Sequence, residues 1–311
     1  MNRFLTRSLG AGMVLLIGGV FAPTGPLKPD LQGNWTNATQ TRLERTGWGE
    51  TLTAEEAAAI EQQAQRPWRG ELFSEPGLDV IRINGVARSS IIIDPPDGRL
   101  PPRTEAGKKR MADLTARRTK FGEFDHPEVR PLAERCLVSF GSNAGPPMLP
   151  NYYYNNTYTI VQSQDHVLIL TEMNHDARIV RMNAATHLPT RIRPWFGDSI
   201  GWWEGATLVV ETTNIHPAQV EQTEILWAYR GASEKLKVTE RFTLTQPDTI
   251  LYRFTLEDPD TFTAPFTGEL LFRRTDETLF EYACHEGNYS IANILAGARA
   301  KERREAEPAK Q

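Results

Sequence analysis

Cysteine is nearly missing from this chain: 311 residues hold two, Cys136 and Cys284. Their separation excludes a CxxC redox motif and a cysteine-based zinc site. In an oxidising compartment two cysteines permit one disulfide, and the alternative is two unpaired thiols packed as small hydrophobes. A bridge would close a loop of about 147 residues, worth ~4–5 kcal/mol in the chain-entropy account. Charge of one sign is lacking too. The net charge is −4 with 24% charged residues, so there is neither a basic stripe for nucleic acid nor an acidic block. The six histidines, at 126, 166, 175, 187, 216 and 285, form no HxH or HExxH pair, which leaves no metal motif and no cofactor expectation. Gly-x-Ser-x-Gly, Walker A and GxGxxG are absent as well.

A long apolar run occurs once, at the start. Arg3 and Arg7 precede an uncharged stretch from Leu9 to Ala22. A basic start, a short apolar run and small residues make the pattern of a secretory signal. The run is shorter than the ~20 residues that cross a hydrocarbon core. Pro23 follows Ala22 directly and is a poor residue beside a cut, so an uncleaved anchor over residues 1–25 is the alternative. The expectation is a periplasmic or secreted protein with no stable membrane insertion once the signal is removed.

Residues 26–157 read as an irregular and helical wrap with few strands. Leu31–Thr36 suits a first strand, and Thr53 with Glu56 forms a capping box that predicts a helix over about 54–65. Ser90–Ile93 is a β-branched strand stopped by Asp94-Pro95-Pro96-Asp97-Gly98-Arg99, a strong turn signal. A second helix fits Glu105 to Arg117, and 119–151 is an ordered Gly/Pro-rich loop region.

From Tyr158 the period becomes two. Strands are predicted at Thr159–Val161, Val167–Leu170, Ala177–Val180, Gly201–Glu204, Thr207–Thr213, Leu236–Leu244, Ile250–Leu256, Glu269–Arg274 and Leu279–Cys284. In the 236–256 pair one face is apolar except for Glu240, and the other carries Lys237, Thr239, Arg241 and Arg253. The fold class is therefore mainly β: an antiparallel barrel or sandwich over 158–299, forming one unit with the wrap and closed by a helix from Ser290. A flexible charged tail is expected over 300–311.

Chemistry is concentrated in three polar and aromatic segments, 146–157, 172–178 and 281–289. His175 and His285 are candidate acid or base groups, since imidazole titrates near neutral pH. Asp176 is a candidate catalytic partner, while Arg178 and Glu286 would bind or orient oxygen functions, with Tyr153 and Asn155 as pocket donors. On an extended strand His175 and Asp176 would face opposite sides, and Glu172, Asn174, Asp176 and Arg178 would share one polar face. A solvent-facing ion pair is the plain alternative for Asp176 and Arg178. At 285–289 the plain alternative is a turn, with Gly287 at positive φ and Asn288 capping the last helix.

The combination Asp94-Pro-Pro-Asp-Gly-Arg, His175-Asp-Ala-Arg, Gly201-Trp-Trp-Glu-Gly, Leu208-Val-Val-Glu-Thr-Thr and Cys284-His-Glu-Gly-Asn-Tyr resembles a widespread group of uncharacterised exported proteins of Gram-negative bacteria. That resemblance spans about Leu31 to Arg299 and implies export, but no reaction. The Gly-x-Trp near the start is similar, at the level of fold alone, to lipocalin or calycin barrels. The functional expectation is an exported enzyme doing metal-independent acid–base chemistry, as hydrolase or lyase/isomerase. Its partner would be a small, partly hydrophobic, aromatic or cyclic molecule, and not nucleic acid. The alternative is a lipocalin-like small-molecule binding protein without catalysis.

Overall fold

The computed structural model describes residues 28–64, 79–139, 144–151, 154–220 and 230–306. The signal-like segment, Tyr152, Tyr153 and residues 307–311 lie outside them.

β1 (Gly33–Thr36) opens the fold. β2 (Thr51–Leu52), β3 (Arg82–Ile83) and β4 (Val86–Arg88) make a small separate sheet in the order β2-β4-β3. Helix α1 (Ala54–Ala64) begins at the capping box. The Thr53 amide donates to Glu56 Oε2 at 2.8 Å, and the Glu56 amide donates to Thr53 Oγ1 at 3.2 Å. β5 (Ile92–Asp94) stops at the Asp-Pro-Pro turn. Helix α2 (Glu105–Lys120) starts where Thr104 Oγ1 accepts from the Gly107 amide at 3.0 Å.

The remaining strands are β6 (Thr157–Gln162), β7 (His166–Thr171), β8 (Ala177–Met182), β9 (Asp198–Glu204), β10 (Thr207–Thr213), β11 (Lys237–Gln246), β12 (Thr249–Glu257) and β13 (Phe266–Arg274). Helices α3 (Pro217–Val220) and α4 (Ser290–Ala306) complete the described elements. The sheet runs β1-β6-β7-β8-β9-β10-β11-β12-β13, and β1 pairs again with β13, so nine strands close into a barrel. β5 adds to the other half of β13. A closed barrel of this kind is compatible with a lipocalin-like fold and can bind small molecules.

Two strand-level expectations are corrected. The sequence pattern predicts an antiparallel sheet, but β8 and β9 run parallel, with Val180 beside Ser199 and Met182 beside Gly201. Residues 183–197 therefore run from one end of the barrel to the other. Leu279–Cys284 is not a strand; it crosses the outside as coil, with Phe280 exposed. The Leu-Phe-Glu-Tyr alternation is real, but the segment pairs with no strand among the described residues, and β13 already has β1 and β5.

Alternation fills the interior. Val238, Phe242, Tyr252, Phe254, Phe266, Phe272, Tyr158 and Trp35 are fully buried. Their rings meet at 4.9 Å (Phe242–Tyr252) and 5.3 Å (Tyr252–Phe272, Tyr158–Phe272). Each buried ring contributes ~1.5–3 kcal/mol by area. Gly268 is required there: a Cβ would stand 2.3 Å from Phe254 Cζ, the ring directly opposite in the register.

The two ends differ. One carries hairpin turns at 163–165, 205–206 and 247–248. The other carries 37–156, 172–176, 214–236 and 258–265, and the helical wrap lies within the first of these. Among the described residues no helix is long and apolar enough to cross a membrane.

Candidate functional site

Among the described residues one ion pair has both partners buried, and it faces the elaborated end of the barrel. Arg178 Nη1 and Nη2 donate to Glu240 Oε2 and Oε1 at 2.7 and 2.9 Å. Tyr252 Oη donates to Glu240 Oε1 at 2.7 Å and accepts from the Met148 amide at 2.9 Å. Burial and the Glu240 charge push the Tyr252 phenol well up, so it stays a neutral donor. Asn37 Nδ2 donates to the Met148 carbonyl at 3.2 Å. The segment 144–151 thus seats on the barrel mouth through polar bonds reaching the core. Two desolvated charges are tolerated because both are paired and hydrogen-bonded.

Above this pair lies the turn between β7 and β8. Met173–His175 is a single 3₁₀ turn in which Asn174 and His175 both take positive φ, 60° and 45°. Non-glycine residues are uncommon there and cost local free energy, asparagine and histidine being better represented than most. The strand-based separation of His175 and Asp176 therefore does not apply, since the segment is a turn. Glu172 and Asn174 are buried. Glu172 Oε1 accepts from the Phe280 amide at 3.1 Å, which fastens the 279–289 segment to this rim.

Asp176 is half-buried on the rim. Its carboxylate accepts from the Ser139 amide at 3.1 Å and from Asn174 Nδ2 at 3.4 Å. Burial pushes the carboxyl up to about 7, outweighing those two hydrogen bonds, which favour the anion. A carboxyl poised near neutrality at a loop-built barrel end is a group that can both take and give a proton.

The other sequence-derived residues are spread around this point. His175 is exposed, and its imidazole bonds no described residue. His285 and Glu286 are exposed on the turn where Gly287 takes φ 70°. Asn288 Oδ1 accepts from the Ser290 amide at 3.1 Å at the head of α4. Asn155 takes φ 58° just before β6, and Tyr153 falls outside the described residues. Arg178 holds Glu240 with both terminal amines, within the barrel rather than at its mouth. Cys136 and Cys284 form a disulfide, joining the 133–139 strap, which carries Ser139, to the 279–289 segment. Among the described residues no group of three or more His, Cys, Asp or Glu is placed to hold a metal ion.

Sequence reasoning missed Ser139 and Tyr282. Ser139 acts through its backbone amide, which leaves no residue-type signal. Burial, with Tyr154 nearby, pushes the Tyr282 phenol up to about 12; its place between Glu281 and Cys284 in a polar segment was the available hint. Comparison with protein-family models and with curated proteins returns no match.

Proposed function

We propose that the protein is an exported enzyme acting on a small, partly hydrophobic molecule by metal-independent acid–base chemistry, with Asp176 as the proton-transfer group. The observation that carries this reading is the Asp176 carboxyl, pushed up to about 7 by burial at the elaborated barrel mouth. In its neutral form it donates a proton; as the anion, steadied by the Ser139 amide and Asn174, it accepts one. Hydrolysis and lyase or isomerase chemistry both need such a step. The disulfide supports maturation in an oxidising compartment, periplasmic or extracellular.

The test is a ¹³C titration of side-chain carboxyls on the full chain, with Asp176→Asn as the assignment control. The expected result is one inflection near 7 that the substitution removes. An Asp176 that titrates near 4 ends the reading and leaves the second one, a lipocalin-like binding protein without chemistry, which the closed barrel alone supports.

A further inference from the structure

We propose that a recess on the elaborated rim, away from the β7–β8 turn, is a binding site for a small carboxylate with an apolar body. This goes beyond the Asp176 reading and does not depend on it. The recess encloses about 440 Å³, within the range of small-molecule pockets. Its apolar lining comes from Ile215, Val220, Ala232 and Leu236, which follow β10, sit on α3 and precede β11.

The walls are built in advance. Asp258, itself buried, accepts from the Ser233 amide at 2.6 Å, the Ser233 hydroxyl at 2.7 Å and the Thr261 hydroxyl at 2.5 Å. That fixes the 232–236 wall to the end of β12. α2 is drawn in close: a Cβ on Gly107 would stand 2.5 Å from the Thr261 carbonyl oxygen. A preformed recess binds without a large ordering cost.

The charge on the walls has one sign in excess. Arg193 faces Glu234 at 3.6 Å and Lys235 faces Asp260 at 3.0 Å, so those two cations are matched. Arg110 lines the recess but donates only to neutral acceptors: the Gly231 carbonyl at 3.1 Å, the Asp260 carbonyl at 2.7 Å and the Thr261 hydroxyl at 2.7 Å. Behind Gly231 stands Arg103, its guanidinium 5.1 Å over the Phe262 ring and its Nη1 buried without a hydrogen-bond partner. A side chain at Gly231 would come within 3.6 Å of that amine. Burial and the like charges of Arg230 and Arg110 act on Arg103, and the Asp258 carboxylate is the anion that offsets them. Arg110, whose hydrogen-bond acceptors are all neutral, beside an aliphatic recess, matches an amphipathic carboxylate.

The experiment is calorimetric titration of the full chain with octanoate, 1-octanol and octylamine. Octanoate is expected to bind one-to-one, with 1-octanol about tenfold weaker or worse and octylamine silent. Ala232→Phe, which fills the recess, is expected to abolish octanoate binding. Lys235→Glu, at an exposed rim position, should weaken it several-fold without changing the melting temperature, and it decides the matter if Ala232→Phe does not fold. Asp176→Asn should leave it unchanged. Equal binding of octanoate and 1-octanol overturns the proposal. So does octanoate binding that survives both recess substitutions, octanoate binding lost with Asp176→Asn, or no octanoate binding at millimolar concentration.

Discussion

The two ends of the barrel are built from the same strands and to different plans. At the hairpin end, connections of two or three residues carry the chain from β6 to β7, β9 to β10 and β11 to β12, and the side chains there serve the turns. Thr249 Oγ1 donates to its neighbour Asp248 at 2.9 Å, and Ser163 Oγ donates to the His166 carbonyl at 3.1 Å. At the other end the connections are long, and their polar groups reach inward to Glu240, Tyr252 and Asp176. Buried polar groups are costly unless fully partnered, so a protein that places them at one mouth has concentrated there the groups that need a compensating role. A rigid wall with elaborated loops on one rim is the usual division of labour between stability and function.

The strongest test of that contrast is the ion pair under the mouth. Glu240→Leu leaves Arg178 charged and dry; the expected loss is ~3–5 kcal/mol in urea unfolding. The double change Arg178→Met with Glu240→Leu should regain most of it, because no buried charge is stranded. Single changes that cost under ~1 kcal/mol would mean that water reaches the pair and that the mouth is not sealed by 144–151.

Asp176 comes next. Its ordinary value is 3.8 and its folded value about 7, so between these pH values the folded state holds the proton more tightly than the unfolded chain. Folding stability is then full below about pH 4 and falls as pH rises through 7, by up to ~4 kcal/mol. Asp176→Asn keeps an acceptor for the Ser139 amide and removes the titration. Its stability advantage over the parent should therefore grow from pH 4 to pH 8, as read by chemical denaturation across that range. A difference that stays flat with pH would place Asp176 in water and make the two rims alike.

The disulfide separates the ends in another way. It bridges two segments outside the barrel, at a sequence separation of 148. Removing it with Cys136→Ser and Cys284→Ser should cost about 3 kcal/mol while hydrogen exchange in β11 and β12 stays slow. Proteolysis should then begin within 133–139 or 279–289. Cleavage that starts instead at 163–165 would show that the hairpin end is the looser one.

How much of this the sequence announces depends on whether the interaction is local. The strands of the barrel wall are legible because pleating writes burial with period two, and α1 and α2 are legible because their caps lie within a few residues. Glu240 stood out as a charge on a dry face, and Arg178 as part of a polar one. Their pairing across 62 residues is a consequence of barrel closure, which no local pattern encodes. The same holds for the parallel β8–β9 contact, set by where 183–197 runs. Leu279–Cys284 carries a strand-like pattern but joins no strand among the described residues. The rise at Asp176 was hidden for the same reason, since burial follows from the closed fold and the Ser139 amide it bonds lies 37 residues away in the chain.

The smallest effect compares how each end makes a left-handed turn. Gly205, between β9 and β10, takes φ 60° with open space where a Cβ would be, so Gly205→Ala should cost about 1 kcal/mol from backbone strain alone. At the elaborated rim the same backbone region is occupied by His175 at φ 45°. His175→Gly should therefore stabilise the fold by about 1 kcal/mol, the opposite sign for the opposite reason. If it does, the imidazole is held at that turn against the local backbone preference, and strain of that kind is a mark of a selected side chain. A destabilising His175→Gly would instead show that the ring packs usefully against the rim, and His175 would then belong with the turn residues of the hairpin end.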